Sequence, residues 1–301
     1  MPVASRRAAA LAVDTLCSVV GRRHTVRVAR FALNQARLDL PNSPEHNGEY
    51  ALQRWMLSTA SHAEPFTVLD VGANIGDWSV ALLRQANERG LRDQVRLHAF
   101  EPTSYTYGIL RQRLPVTAQA NRLALSDTAG QRQMFVVAPG AGRNSLHQGA
   151  EADEADASTE MVTAETVDGY LEAYGLTRVD LLKIDTEGHD FAVLLGGQAS
   201  LAEQRISVIQ FEYNHRWVYA RRFLKDVFDL AGRYGYRVGK LTPRGVETYP
   251  GWDPDLETFV EGNYLLGTDN GLRRLPQVAW WKAAGSSRTP LPRSWWGQRI
   301  R

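Results

Sequence analysis

Between Phe66 and Trp78 the chain reads Phe-Thr-Val-Leu-Asp-Val-Gly-Ala-Asn-Ile-Gly-Asp-Trp. No other stretch constrains the fold as tightly. Thr67–Val71 is a short apolar run entered just after Pro65, the pattern of a strand buried on both faces in a parallel sheet. Gly72-Ala73-Asn74-Ile75-Gly76 supplies a tight turn. The next segment, Trp78–Arg84, has helical apolar spacing with Asp77 placed to cap it. Strand, glycine turn and helix together aim backbone N–H groups and a positive helix end at a ligand. The reading is therefore an α/β fold with a site at the end of this strand.

A dinucleotide fingerprint needs three glycines in Gly-x-Gly-x-x-Gly. Here Ala73 and Asp77 stand at the second and third of those places, which weakens a nicotinamide oxidoreductase reading. Asp70, at the strand end, suits a ligand's ammonium group, and the glycines let backbone approach its carboxylate. Val95–Pro102 is a second apolar strand, ending in Glu101, a carboxylate placed for the two hydroxyls of a ribose. An amino acid on the first loop and a ribose on the second strand describe S-adenosylmethionine.

Four ordered motifs carry a resemblance: Asp70-Val-Gly-Ala-Asn-Ile-Gly76, Phe100-Glu-Pro102, Leu123-Ala-Leu-Ser-Asp127 and Leu182-Lys-Ile-Asp-Thr-Glu-Gly188. Together they resemble the FkbM family of S-adenosylmethionine-dependent methyltransferases, from about Thr67 to about Glu212. The resemblance implies a class I methyltransferase: a Rossmann-like, seven-stranded sheet, here with an N-terminal helical extension. It implies methyl transfer to a hydroxyl of a natural product or its sugar; the alternative reading is a cofactor-binding subunit without turnover. It implies cofactor contacts from Asp70, Gly72, Ala73, Asn74, Gly76, Glu101, Ser126, Asp127 and Asp185. Asp127 reads equally well as a residue capping its own turn.

The 301 residues allow one or two domains and a sizeable core. The organisation expected is a helical extension over 1–60, a methyltransferase core over 61–270 and a Trp/Arg-rich tail over 271–301. In the extension, helices are expected near Leu11–Val20, Val26–Leu38 and Glu49–Ser58. The apolar run after Arg6-Arg7 is cut by Asp14, so an amphipathic helix fits it better than a signal peptide. The paired tryptophans Trp280-Trp281 and Trp295-Trp296 read as packing of an ordered tail, or as part of an acceptor site or homodimer contact. Within the core, Val116–Leu125 reads as one strand, 139–160 as a surface loop and Val218–Tyr234 as a helix.

Charge is nearly balanced, 35 Lys+Arg against 33 Asp+Glu, so no overall affinity for polyanions follows. Neither a base-methylation motif of the Asn-Pro-Pro-Tyr kind nor a long basic groove points to nucleic acid. The one cysteine, Cys17, excludes an internal disulfide and a cysteine zinc site, and suits a reducing cytoplasm. No apolar run reaches the roughly 20 residues that span a bilayer.

Methylating a hydroxyl calls for a base. The candidates are His189, His147, His215 and Glu212, with His189 first because its motif, Asp185-Thr186-Glu187-Gly188-His189, ends the most apolar strand. Asp70, Glu101, Asp185 and Glu187 fall along one sheet edge. Asp185, Glu212 and Asn214 also offer oxygens for a divalent metal such as Mg²⁺, which would bind an acceptor diol and acidify a hydroxyl.

Overall fold

A computed structural model describes residues 3–39, 43–137, 144–147 and 158–281. The chain divides into two compact units, Met1–Pro41 and Asn42–Arg301. The first holds two helices, α1 (Val3–Val20) and α2 (Arg22–Arg37). Gly21, at φ +84, makes the break between them. Leu38 closes α2 in a left-handed conformation, its N–H reaching the Asn34 and Gln35 carbonyls.

The second unit begins with α3 (Glu49–Ser58), then β1 (Phe66–Val71), α4 (Asp77–Glu88), β2 (Val95–Phe100), α5 (Ser104–Arg113) and β3 (Gln119–Asn121). The chain next leaves the main sheet for β4 (Ala124–Leu125), β5 (Gly130–Val136) and β6 (Ser158–Glu165). It returns through α6 (Val167–Ala173), β7 (Val179–Ile184), α7 (Asp190–Leu195), α8 (Gln198–Ala202), β8 (Ile206–Tyr213) and α9 (Leu224–Tyr234). It closes with β9 (Arg237–Thr242), β10 (Gly245–Tyr249), β11 (Gly262–Gly267) and α10 (Asp269–Arg273).

The main sheet runs β10-β9-β11-β8-β7-β1-β2-β3, and a small sheet runs β4-β6-β5. In the main sheet β8, β7, β1, β2 and β3 are parallel, while β11, β9 and β10 each pair antiparallel with their neighbours. All residues of β1 and β7 are buried, which explains their unbroken apolar sequence. Alternation feeds two cores. Leu69, Val71, Leu182, Ile184 and Phe211 pack with α6–α9, whereas Val68, Leu181, Val208 and Leu265 pack with α3–α5. The result is the three-layered α/β class expected.

Several local expectations are corrected. The sheet has eight strands, not seven: β10 folds back on β9 as a hairpin, Gly245 opposite Thr242. Val116–Leu125 is not one strand. The Asn121 carboxamide donates to the Ala99 and Gln119 carbonyls, and beyond it the backbone departs to pair Ala124 with Ala164. Residues 158–160, expected in a loop, begin β6. The helix expected from Val218 instead starts at Leu224. A short 3₁₀ turn covers His215–Val218, Arg221 sits at φ +53, and Glu257 accepts the N–H groups of Leu224 and Lys225. Asp77 does not cap α4; its carboxylate pairs with Arg113 at 2.6 Å.

Trp280 and Trp281 lie along the edge strand. Their backbone N–H groups donate to Glu247 Oε1 on β10, at 2.7 and 2.9 Å. Covering an exposed edge in this way protects it from pairing with other chains. Trp295, Trp296 and the acidic run 151–157 lie outside the described residues. Among the described residues no helix is long and apolar enough to cross a membrane.

Candidate active site

A cleft opens beyond the C-terminal ends of β1, β2 and β7, where an open α/β sheet places its ligands. Its polar lining is Gly72, Asn74, Glu101, Asn144, Asp185, Thr186, Glu187 and His189; Phe100, Leu123, Leu125, Met134 and Leu146 supply apolar wall. Among the described residues no lysine or arginine lines it.

The turn after β1 is held from two sides. The N–H groups of Gly72 and Ala73 both donate to the Phe100 carbonyl, and Gly76 N–H donates to Ala73. These amides are therefore committed within the turn. Gly72 adopts φ +77, and a Cβ there would lie 1.8 Å from the Asp185 carbonyl oxygen, so only glycine lets the turn close on the end of β7. Gly76 packs under Leu110 of α5. Asn74 is left-handed at φ +49, with a buried carboxamide oxygen that lacks a hydrogen-bond partner among the described residues. Such an orphaned acceptor at a cleft wall is a place for a ligand's donor.

Asp70 is fully buried and stands behind the cleft. It accepts the Ser79 hydroxyl at 2.6 Å and faces Lys183 Nζ at 3.5 Å. Burial raises its pKa against the pull of Lys183. Lys183 also meets Asp185 at 3.1 Å. Burial opposes its charge, but Asp185, Asp70 and Glu49 outweigh that and hold the ammonium above its ordinary range. One cation thus serves three carboxylates. Glu101 accepts both the N–H and the hydroxyl of Thr103, at 2.9 and 2.6 Å, and burial raises its pKa.

Beyond Asp185 the acids multiply. Glu187 lies on the cleft wall at φ +56, unusual for a residue with a side chain, and pairs with Arg216 Nη1 at 3.0 Å. Burial and then Asp185 push its pKa up to about 8. Asp190 is fully buried, and the same two causes raise it to about 7. Glu212, buried beside Asn214, is raised well above the ordinary carboxylate range by burial first and Asp185 second. Glu187 was visible in the sequence as one of a row of acids; its strained backbone and lifted pKa were not.

His189 stands differently from the sequence expectation. Its Nε2 contacts the Ser126 hydroxyl at 2.9 Å and its Nδ1 contacts His147 Nε2 at 3.1 Å. Ser126 in turn donates to Asp127 at 2.9 Å. Burial, and then His147, pull the His189 pKa down to about 3, so the ring is neutral with both nitrogens engaged. Burial lowers His147 as well. Ser126, Asp127 and His147 do not line the cleft; Asp127 and His147 face an adjoining recess with Arg132 and Arg222. His215 is exposed at the start of its 3₁₀ turn.

The oxygens suggested for a metal are already engaged, Asp185 with Lys183 and Glu212 with Asn214. Asn214 accepts Arg216 N–H through its carboxamide oxygen and donates to Glu212 through its nitrogen, so it offers no free ligand. Among the described residues no group of three or more His, Cys, Asp or Glu is arranged to hold a metal ion.

The model of the methyltransferase FkbM domain matches residues 70–238, more than half of the chain. Comparison with curated proteins finds no significant match. Among solved structures, the chain is similar to precorrin-6y C5,15-methyltransferase from Geobacter metallireducens, with 11% identity over 73% of this chain and 88% of that one, TM-score 0.35. It is similar to DszA carbon methyltransferase, with 12% identity over 71% and 50% of the two chains, TM-score 0.39. A COG1565 superfamily member from Burkholderia thailandensis, bound to S-adenosyl-homocysteine, gives 12% identity over 76% and 59%, TM-score 0.27. The chain belongs to the FkbM family of S-adenosylmethionine-dependent methyltransferases.

Proposed function

We propose that this protein methylates a hydroxyl group of a small molecule, a secondary metabolite or its sugar, with Glu187 as the general base. The observation that carries the cofactor half of this reading is the charge of the cleft. Glu101 and Asp185 line it, and among the described residues no basic side chain does. That wall suits a ligand bearing a sulfonium and an ammonium, and it repels the diphosphate of a dinucleotide. Asn74, with its unpartnered carboxamide oxygen, and Glu101 stand where a ligand's donors would be received. Phe100, Leu123 and Leu125 offer the apolar surface a flat base needs.

When bound, the sulfonium supplies an electrophilic methyl carbon and a neutral thioether as leaving group. The chain's own residues then have two tasks. The first is alignment: fixing an acceptor oxygen in line with the transferred carbon is worth about 7–11 kcal/mol in the best intramolecular cases. The second is to take the proton of the acceptor hydroxyl as its oxygen forms the new bond to carbon. Glu187 is suited to that task. Its carboxylate lies on the cleft wall, Arg216 orients it, and its raised pKa makes the ionised form a stronger base than an ordinary glutamate. His189 is a neutral spacer joining Ser126 to His147. Among the described residues the donor set does not fit a metal.

The test is calorimetric titration with S-adenosylmethionine, S-adenosylhomocysteine and NAD, followed by a screen of alcohols and sugars with radiolabelled methyl donor. Binding of both adenosyl ligands and not of NAD is expected, with label appearing on oxygen. Tight NAD binding would overturn the cofactor assignment; methylation at carbon or nitrogen would overturn the acceptor class.

A further inference from the structure

Residues 3–39 hold seven arginines, no lysine, no glutamate and two aspartates, a formal +5 in a chain whose total is only +2. The arginines are arranged. Arg23, Arg27 and Arg30 recur at helical spacing along one side of α2, and Asn34 continues their stripe. The rest of the helix surface carries Val28, Ala29, Phe31, Ala32 and Ala36, interrupted by His24, Thr25 and Gln35, with Val26 and Leu33 flanking the arginines. This apolar arc is not a core. Val26, Val28 and Leu33 are 51%, 62% and 55% exposed, and Val19 of α1 is 79% exposed. No residue of either helix joins a hydrophobic cluster among the described residues.

An exposed apolar arc bordered by an arginine stripe limits what can cover it. A nucleic acid would engage the guanidiniums and leave Val28 and Leu33 in water. A second copy would bring another +5 against the first, with few acids to offset it. An anionic lipid surface meets both requirements: valine and leucine enter the headgroup–acyl boundary, and guanidiniums meet the phosphates. We propose that α1 and α2 dock this protein on an anionic membrane surface, with α2 lying in the plane of the interface. The helices lie on the bilayer and do not cross it, in keeping with their charge.

Co-sedimentation of the full chain with vesicles tests this, comparing phosphatidylglycerol–phosphatidylcholine mixtures with phosphatidylcholine alone. Partition onto the mixed vesicles is expected to exceed that onto neutral ones by at least tenfold and to fall steeply as salt is added. Each basic residue at such a surface is worth roughly fivefold. R23E/R27E/R30E is therefore expected to weaken binding by more than roughly 100-fold. V28S/L33S is expected to weaken it too, with S-adenosylmethionine affinity unchanged in both variants. The salt titration needs no variant, so a helix melted by substitution does not decide the outcome. Equal partition onto neutral and anionic vesicles would overturn the proposal. So would a wild-type dimer that V28S/L33S dissociates in the absence of any lipid binding, which would assign the stripe to a second copy.

Discussion

Glu187 combines three properties that rarely coincide: a left-handed backbone, a place on the cleft wall and a pKa pushed up to about 8. If it is the base, E187Q keeps the shape and removes the proton acceptor. Turnover is expected to fall by about 100- to 10,000-fold, with S-adenosylmethionine affinity by calorimetry within a few-fold of wild type. An unchanged rate would remove Glu187 from the chemistry. The base works only when ionised, so the wild-type rate is expected to climb with pH up to about 8 and level off above it. H189A tests the other side of the argument. A neutral, fully engaged imidazole has no proton to take, so its loss is expected to lower thermal stability more than it changes the shape of the pH profile. Asp190 makes a separate prediction about stability. Its folded-state pKa, about 7, lies above its ordinary value, so the folded protein holds a proton that the unfolded chain releases. That contribution is full in acid and is lost as pH rises from about 4 through 7. The melting temperature is expected to decline over this interval, and D190N is expected to flatten the decline; an equally steep slope in D190N would assign the effect to other groups.

Between elements, the decisive contact is the turn after β1 against the end of β7. Gly72 fits there because a Cβ would meet the Asp185 carbonyl. G72A must push the two strand ends apart or strain the turn, at a cost of about 1–3 kcal/mol. Lower stability is expected together with weaker S-adenosylmethionine binding, measured by melting and calorimetry; wild-type values in both would mean that the turn relaxes freely. This contact also shows why some elements were legible in the sequence and others were not. β1 and β7 are buried on both faces, so they read as continuous apolar runs, and the glycines between β1 and α4 marked the turn. β6 defeats that reading: only Val162 and Ala164 of Ser158–Glu165 are buried, so its acidic, polar sequence looks like loop. β10 defeats it too, because Glu247 is buried on a strand and satisfied by N–H groups of Trp280 and Trp281, far along the chain. The same limit applies to His189. Its motif was plain, but its chemistry depends on Ser126 and His147, which sequence spacing cannot bring to the ring.

Across the whole second unit, one buried cation ties the layers together. Lys183 sits in β7, 4% exposed, between Asp70 of β1 and Asp185, and within the field of Glu49 from α3. Glu49 is itself anchored by Gln210 of β8 at 3.0 Å and by Asn47 at 2.7 Å. A core that holds the carboxylates of Asp70 and Glu49 is tolerable only while the ammonium remains, since an uncompensated buried charge is far costlier than a missing apolar contact. K183M preserves much of the volume and removes the charge. It is expected to destabilise the fold by about 3–5 kcal/mol, a fall in melting temperature of about 10 °C for a unit of this size. The loss should depend on pH. Without Lys183 the carboxylates of Asp70 and Glu49, already raised by burial, rise further, so K183M is expected to lose more stability near neutrality than in acid. Adding D70N, which removes one orphaned negative charge and still accepts the Ser79 hydroxyl, is expected to restore part of the loss. If K183M melts with the wild type at every pH, the acids are already neutral in the fold. The negative cleft floor inferred for binding a sulfonium would then have to rest on Glu101 and Asp185 alone.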